Sequence, residues 1–345
     1  MIKNDQLQPG LSVIIPIYNV EQYVKKSILS VFESKIQNLR IIAVDDHGSD
    51  RSIEIVKELA KHDPRIEIIH NDRNRGLAFS RNHGIKFVKT THLAFLDSDD
   101  WVAPGFYDRL MEMSIKENAD ISTGQVIYTY PETGIKREEW VSWWSFHSGK
   151  KLLSSPEEKQ DIIYACACWN KVYRTSFIRN NDISFPVDLF IEDVPFTFLA
   201  TALANKITLV KEAELYYRQR SNSIMKDLKT SKRVFDVFKI MDICYQRLNL
   251  IHEDLQPIYK QILDHFWIFN LHSWSTAVCD QDYDIFLKEL KARYRLIDIT
   301  NNPFITPEHI QIYKDTLNLQ DFYRIFLFGK FPLKVTISPN SWITQ

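Results

Sequence analysis

The chain has 345 residues and is poor in several residue types that mark special classes of protein. With 9 glycines and 13 prolines, it is neither a fibrous nor a low-complexity sequence. Its 4 cysteines are too few for a disulfide scaffold and favour reduced thiols. No apolar run approaches the ~20 residues that span a bilayer, and residues 1–10 lack the apolar core of a signal peptide. These absences predict a cytoplasmic protein that touches a membrane only at its surface.

An excess of one charge is also missing. The formal net charge is -1 and the pI is about 6.8, whereas domains that bind nucleic acid usually carry a basic excess. No nucleic-acid partner is therefore expected. The 45% of hydrophobic and 25% of charged residues are typical of a globular protein and exclude a largely disordered chain.

Short apolar runs alternate with segments of helical spacing over the first 125 residues. Strands are predicted over 11–17, 39–44, 66–69 and 93–96, and helices over 21–32, from about 49 to 59, over 78–88 and over 106–115. This alternation favours an α/β fold with a parallel sheet and flanking helices. In such sheets, ligands bind beyond the carboxyl ends of the strands.

The rest of the chain is less regular. Residues 126–160 are rich in tryptophan and resemble a loop, and residues 161–225 predict a helix over 196–204 with strands over 207–210 and 215–217. From about residue 231 the spacing is helical. The sequence therefore predicts an α/β layer followed by a mainly helical C-terminal region.

Polar side chains follow three of the predicted strands. Tyr18 and Asn19 end the first, Asp45 and Asp46 the second, and the segment Asp97-Ser98-Asp99 the fourth. Residues two apart on an extended chain face the same side, so the Asp97 and Asp99 carboxylates repel each other unless a cation lies between them. Mg²⁺ or Mn²⁺ prefers such oxygen ligands together with substrate phosphates. The alternative is a solvated acidic turn.

Two further segments are candidates for binding a nucleotide. Asp45 and Asp46 can accept hydrogen bonds from a base or a ribose, or they can cap the next helix. Gly76 opens a helix whose N-terminal amides favour anions. Arg81 lies one turn further on, where it can reach a phosphate or orient Asp97. The alternative is an ordinary surface helix.

Downstream groups are candidates for catalysis and for closing the site. Asp193, after Glu192, lies at a predicted helix start and can accept a proton, although an N-cap is the alternative. Arg218 and Arg220 are two residues apart, so on an extended chain their side chains face the same side. Their guanidinium groups suit a diphosphate. The alternative for this pair is an exposed edge strand.

Aromatic residues supply candidates for an acceptor surface or for core packing. The acceptor-side candidates are Trp101, Trp143, Trp144, Trp169, Lys171 and Glu192. A basic and aromatic tail over 322–342 can rest on an anionic membrane or can close the domain. The histidines belong to no ligand-spaced pair and are expected to be structural or exposed.

Taken in order, these segments resemble the family-two glycosyltransferases with the GT-A fold. The matching segments are 12–19 (SVIIPIYN), 44–50 (VDDHGSD), 76–84 (GLAFSRNHG), 96–101 (LDSDDW), 169–174 (WNKVYR), 192–193 (ED) and 216–223 (YYRQRSNS). The resemblance covers residues 11–225. It implies a GT-A domain over 1–228, with a nucleotide-binding half to about 125 and an acceptor-binding half over 126–228. The helical region 229–345 lies outside it.

The resemblance also implies an activity, an inverting transfer from a UDP-sugar to a hydroxyl of a glycan or lipid-linked acceptor, in bacterial surface polysaccharide or lipopolysaccharide synthesis. Asp193 would be the catalytic base, and Asp99 and Asp97 would bind Mn²⁺ or Mg²⁺. The residues implied to hold the sugar nucleotide are Pro16, Tyr18, Asn19, Asp45, Asp46, Gly76, Arg81, Asp97, Ser98, Arg218, Arg220 and Ser223. A metal-dependent nucleotidyltransferase and a non-catalytic sugar-nucleotide-binding protein are the alternatives.

Overall fold

A computed structural model describes residues 6–130, 135–138, 151–219, 232–275, 278 and 282–317. The strands are β1 (Gln8–Ile17), β2 (Leu39–Asp45), β3 (Ile66–His70), β4 (Thr90–Phe95), β5 (Trp101–Val102), β6 (Ile121–Tyr130), β7 (Ile135–Glu138), β8 (Leu152–Leu153), β9 (Lys171–Arg174) and β10 (Ile207–Arg218). The candidates Trp143, Trp144, Arg220 and Ser223 and the tail 322–342 lie outside the described residues.

Helices flank the sheet in the first part of the chain and dominate the last part. They are α1 (Val24–Phe32), α2 (Ser52–His62), α3 (Gly76–Phe87), α4 (Phe106–Glu117), α5 (Pro156–Tyr164), α6 (Thr175–Asn180), α7 (Asp193–Leu203), α8 (Asp236–Arg247), α9 (Gln256–Ser275), α10 (Tyr283–Tyr294) and α11 (Pro307–Leu317). None of these described helices is long and apolar enough to cross a bilayer.

The strands form one mixed sheet in the order β3-β2-β1-β4-β9-β6-β10-β5, with β7 beside β6 and β8 beside β10. β1 pairs in parallel with β2 and β4, and β2 pairs in parallel with β3. The predicted parallel layer is therefore confirmed. β9 joins β4 and β6 antiparallel and links this layer to the second half of the sheet.

Two local predictions were wrong. The segments 207–210 and 215–217 belong to the single strand β10, whose pairing with β6 shifts register between Val210 and Glu214, as at a β-bulge. The extra residues of the bulge interrupt the apolar pattern, which made one strand resemble two. The second concerns α2, which was predicted to begin at about residue 49 and begins at Ser52, whose amide donates to Asp50 at 3.0 Å.

Helix α3 lies unusually close to β1. A Cβ atom on Gly84 would lie 2.5 Å from Cγ2 of Ile14, so only glycine fits this contact without a shift. The close approach places the start of α3 beside the carboxyl ends of β1 and β2. It therefore positions the elements that build the site.

The C-terminal helices enclose a hydrophobic cluster of their own, distinct from the cluster that covers the sheet. Helix α7 contributes to both, since Phe196 and Leu199 pack in the sheet cluster and Val194 and Phe198 in the helical one. The predicted helical C-terminal region is confirmed. The predicted boundary at residue 228 falls outside the described residues and stays a prediction.

A hydrogen-bonded chain ties α11 to α9 and α5. The Thr306 amide donates to Nδ1 of His309 at 3.1 Å, so the His309 proton lies on Nε2 and points at Nε2 of His265, 3.1 Å away. Nδ1 of His265 then donates to the hydroxyl of Tyr164. This series of hydrogen bonds is complete only while both imidazoles are neutral.

Candidate active site

The turns after β1 and β2 pack against each other at the carboxyl edge of the sheet. The Asn19 Oδ1 atom accepts the Ser49 amide at 2.7 Å, and Asn19 has a positive φ of 51°. A Cβ on Gly48 would lie 2.8 Å from that Oδ1 and 3.5 Å from Cα of Tyr18. Tyr18 is 47% exposed, so an aromatic ring is available to a ligand at this edge.

The two acids that end β2 are both occupied by internal partners. Asp45 accepts the His47 amide at 3.1 Å and Nδ1 of His70 at 2.8 Å. Asp46 accepts the amides of Arg75 and Gly76 at 2.7 and 2.9 Å. Asp46 is 3% exposed and shapes the turn that starts α3. Its contact with the sugar nucleotide stays a prediction.

Asn71 is a structural centre of this edge that sequence reasoning missed. Its side-chain amide donates to Asp46 at 2.7 Å and to Ser80 at 2.9 Å, and its Oδ1 lies 2.8 Å from Nδ1 of His83. Its backbone oxygen lies 2.6 Å from Nε2 of His47. Asn71 directly follows β3, which is also a parallel strand of the sheet. The rule that ligands bind beyond the carboxyl ends of parallel strands therefore points to Asn71 as well.

Three carboxylates follow β4. The Asp97 Oδ1 atom lies 2.6 Å from a guanidinium nitrogen of Arg81, and Asp99 is half-buried. Asp100 is 1% exposed, and its Oδ1 accepts the Arg218 amide at 2.8 Å. Burial and the charges of Asp99 and Asp97 hold the pKa of Asp100 well above its usual range. The segment therefore places three acidic side chains at the strand end, and its environment favours the neutral form of Asp100.

These acids can hold a hard divalent cation only when a bound substrate and water supply the remaining metal ligands. Within the described residues no group of three acidic, histidine or cysteine side chains has metal-binding geometry. The Asp100 Oδ2 atom is buried without a hydrogen-bond partner among the described residues. Mg²⁺ typically takes one or two carboxylates and completes its shell with substrate phosphates and water. Asp97 and Asp99 match that use, and Ser98, 6% exposed, sits between them.

Arg81 joins the acidic segment to the start of α7. It is 1% exposed, and its guanidinium lies 2.6 Å from Asp97 and 2.7 Å from Glu192. Of the two roles predicted for Arg81, phosphate contact and orientation of Asp97, the geometry favours orientation. Glu192 is 8% exposed and ion-paired with Arg81, and its role as an acceptor-side residue stays a prediction.

Asp193 is the first residue of α7 rather than its N-cap, and Glu192 caps the helix without a side-chain bond. Burial, followed by the charge of Glu192, raises the pKa of Asp193 to about 7. A carboxylate with a pKa near neutral can accept a proton in one step and release it in the next. Asp193 is therefore suited to act as a general base.

Arg218 closes the acidic segment from the other side. Its Nε donates to the Asp99 backbone oxygen at 2.8 Å, and its guanidinium lies 4.7 Å from the Tyr23 ring and 4.6 Å from the Trp101 ring. The Trp101 ring stacks on Tyr216 at 5.3 Å and carries the Lys26 ammonium 3.3 Å from its centroid. The Trp101 ring thus contacts Tyr216, Lys26 and Arg218, and its role as an acceptor-side residue stays a prediction.

Trp169 and Lys171, the other two acceptor-side candidates within the described residues, are buried. Trp169 is 8% exposed and stacks on Tyr217 at 5.2 Å. Lys171 is 1% exposed and donates to the Ala167 carbonyl and to Asn170. Burial lowers the pKa of Lys171 to about 8. Lys171 therefore stabilises the loop before β9, and its role as an acceptor-side residue stays a prediction.

Comparison with solved structures identifies the class of fold. The chain superposes on Staphylococcus aureus TarS 1–349, crystallised in complex with UDP-GlcNAc, with a TM-score of 0.73, 19% identity and 92% of each chain covered. The predicted GT-A fold is confirmed.

Sequence comparisons then identify the family. Residues 12–179 match the model of glycosyl transferase family 2. An uncharacterized glycosyltransferase of Haemophilus influenzae is 31% identical over 190 residues, which are 53% of this chain and 73% of that protein. The minor teichoic acid biosynthesis protein GgaB of Bacillus subtilis is 28% identical over 303 residues, which are 83% of this chain and 32% of that protein. The chain belongs to glycosyltransferase family 2.

Proposed function

We propose that this glycosyltransferase transfers a sugar from a UDP-sugar to a hydroxyl group of a glycan or lipid-linked acceptor with inversion at the anomeric carbon. The observation that carries the proposal is the Asp97–Arg81–Glu192 bridge, which joins the acidic segment to the helix that begins with Asp193. One buried guanidinium thereby sets the spacing between the candidate leaving-group site and the candidate base.

The donor lies at the carboxyl edge of the sheet. Its base contacts the turn of Pro16, Tyr18 and Asn19, and its diphosphate faces Asp97, Ser98, Asp99 and the start of α3 at Gly76. Arg218, held by the Asp99 carbonyl, covers the diphosphate together with Arg220 and Ser223. The complex of TarS with UDP-GlcNAc supports a UDP-linked donor. The group proposed to be transferred is a hexosyl or an N-acetylhexosaminyl group.

Asp99 and Asp97 are the residues proposed to hold Mn²⁺ or Mg²⁺. When bound, the cation neutralises the charge that develops on the diphosphate as it leaves. The protein contributes positioning, because Arg81 fixes one Asp97 oxygen and leaves the other for the ligand side.

Asp193 takes the proton from the acceptor hydroxyl. As that oxygen forms its bond to the anomeric carbon, the bond from this carbon to the diphosphate oxygen breaks, and both bonding electrons leave with UDP. Attack opposite the leaving group inverts the configuration. A base with a pKa of about 7 is deprotonated above that pH, so turnover is expected to fall below it.

The acceptor belongs to the synthesis of a bacterial surface glycan in this proposal, which the name of the teichoic acid relative supports. The division into donor and acceptor halves, the cytoplasmic location and the contact of the C-terminal tail with a membrane are further parts of the proposal. Family membership favours this activity over the nucleotidyltransferase alternative.

Replacing Asp193 separates an enzyme from a sugar-nucleotide binder. We expect Asp193→Asn to bind UDP as the parent protein does, by calorimetry, and to lose ~10²–10⁴-fold in turnover in a UDP-release assay. Asp188→Asn is a matched control because Asp188 is exposed on the loop before α7 and has a positive φ that asparagine tolerates. Unchanged turnover of Asp193→Asn would remove this residue from the mechanism.

A further inference from the structure

The proposed catalytic base lies at the end of a loop that a C-terminal helix holds closed. Arg247, the half-buried last residue of α8, donates from Nη1 to the Pro195 carbonyl at 2.5 Å and from Nη2 to the Ser184 carbonyl at 2.8 Å. One guanidinium therefore joins both ends of the segment between these carbonyls, which we call the base loop (residues 185–194). Asp193 lies in the base loop, and Pro195 lies in the first turn of α7. A single side chain thus fixes the width of the loop where α7 begins.

The other end of α8 holds the base loop at a second point. Asp236, the first residue of the helix, accepts the Phe190 amide at 3.1 Å. The Asp236 side chain is 14% exposed, so this hydrogen bond is largely shielded from water. Because an α-helix rises 1.5 Å per residue, Asp236 and Arg247 lie about 16 Å apart along the axis. Helix α8 therefore bridges the base loop, with one contact near its middle and two at its ends.

The backbone of the base loop depends on such contacts. Asp188 and Ile191 have positive φ values of 60° and 56°. For isoleucine, which is branched at Cβ, this conformation is an outlier that persists only where the surrounding structure imposes it. Ile191 directly precedes Glu192 and Asp193. A loop released from α8 is therefore expected to relax at the residue that sets the direction of the proposed base.

Helix α3 also holds the base loop. Asn82 exchanges two hydrogen bonds with the backbone of Phe185, at 2.8 and 2.9 Å, and Arg81 lies 2.7 Å from Glu192. Helix α3 packs on the sheet, whereas α8 belongs to the hydrophobic cluster of the C-terminal helices. The loop that carries the proposed base is therefore held between the two parts of the molecule.

We propose that Arg247 is a positioning residue for turnover: by closing the base loop, it holds Asp193 where the carboxylate can take the proton of the acceptor hydroxyl. Asp236 supports the same placement from the other end of α8. Neither side chain touches the substrate in this assignment. Helix α8 lies outside residues 12–179, which match the family model, so the C-terminal region contributes to turnover in its own right. The inference rests on the proposed function, since it assumes that Asp193 is the base.

Arg247→Met removes the guanidinium and keeps an unbranched apolar side chain. Hydrogen–deuterium exchange of the free protein should rise in peptides that cover the base loop and stay unchanged in β1. Turnover is measured as UDP release from a panel of UDP-hexoses and UDP-N-acetylhexosamines with Mn²⁺ and with water as the acceptor, so that Asp193 takes a proton from water. The kcat should fall about 10–100-fold, because a small misplacement of a reacting group costs that much. The KM for the donor and the affinity for UDP should not change.

The pH profile of kcat distinguishes positioning from a general loss of stability. Burial is the main cause of the raised pKa of Asp193, so a loosened loop that admits water should move the acid limb of Arg247→Met to lower pH. Arg179→Met is the matched control, because Arg179 is also half-buried and donates to two carbonyls, those of Ile85 and Val88, at 3.0 and 2.8 Å. It should lose stability without moving the acid limb. The charged side chains that act on Asp193 are the same in both variants: Glu192, Arg81, Asp97 and Lys171.

Conservative variants test the two contacts of α8 separately. Arg247→Lys keeps the positive charge but not the planar fork, so its exchange and kcat should lie between those of the parent protein and Arg247→Met. Asp236→Ala releases the Phe190 amide and should change both measurements in the same direction. Asp236→Asn should match the parent protein, because its amide oxygen still accepts that hydrogen bond.

Unchanged exchange of the base loop in Arg247→Met, or an unchanged kcat despite faster exchange, overturns the inference and leaves the proposed function standing. Faster exchange throughout the protein with an unmoved acid limb also overturns it, since Arg247 would then be a structural residue like Arg179. If the parent protein does not bind UDP, or if Asp193→Asn releases UDP as fast as the parent protein, the proposed function fails and the inference falls with it.

Discussion

Removal of the Arg81 guanidinium should strongly destabilise the fold. Arg81 is 1% exposed, and its two partner side chains, Asp97 and Glu192, are 24% and 10% exposed. Arg81→Ala leaves at least the Glu192 carboxylate buried without its countercharge. Breaking a buried ion pair on one side costs about 3–5 kcal/mol, whereas exposed pairs contribute about 0–1 kcal/mol.

Urea unfolding gives the free energy directly and allows a matched control. Arg73 forms a comparable arginine–aspartate pair with Asp72, but their side chains are 70% and 57% exposed. Arg73→Ala should therefore cost less than about 1 kcal/mol. A loss for Arg81→Ala as small as that for Arg73→Ala would refute the view that this bridge holds the site together.

The pH dependence supplies an independent check. Burial raises the pKa of Glu192 even beside Arg81, and Arg81→Ala removes the positive charge that opposes this rise. A carboxyl group whose folded pKa exceeds its unfolded value destabilises the protein increasingly as the pH rises above the unfolded value. The deficit of Arg81→Ala should therefore shrink toward pH ~5. Adding Glu192→Gln should recover part of it at neutral pH, because an amide needs no countercharge.

Two further predictions concern the metal and the C-terminal helices. Asp99→Ala should abolish the Mn²⁺- or Mg²⁺-dependent part of UDP binding in calorimetry, and metal-independent binding by the parent protein would show the metal assignment to be wrong. Burial lowers the pKa of His265 to about 3 and also lowers the pKa of His309, so the unfolded chain takes up protons first as the pH falls below 6.5. Urea midpoints should therefore drop between pH ~7 and pH ~5, and drop less in His265→Phe; an equal drop would contradict the buried, neutral pair.

The layer that carries the site could be predicted because its signals are local. Apolar runs and helical spacing placed β1 to β4 and their helices within a few residues, and the rule for parallel sheets brought Tyr18, Asp45 and Asp97 to one edge. β10 was divided in two because a bulge breaks the apolar pattern without ending the strand.

Side-chain environments could not be predicted in the same way. Whether Lys171 faces a ligand or the interior depends on the loop before β9, and whether Trp101 has a free face depends on Tyr216 from a strand over a hundred residues away. The same holds for Asp46, whose partners come from the turn after β3. Sequence patterns identify residue types suited to chemistry, whereas tertiary contacts decide which of them remain available.

Helix α7 has a consequence for how the enzyme can be divided. The residue proposed as the base begins this helix, and the helix packs through Phe196 and Leu199 into one hydrophobic cluster and through Val194 and Phe198 into the other. The C-terminal helices thus pack against one side of the helix that begins with the proposed base, although they supply none of the candidate site residues. A chain shortened to its sheet-bearing part would lose these contacts, and an exchange of C-terminal regions between relatives would need to preserve the contacts with α7 to keep Asp193 in position.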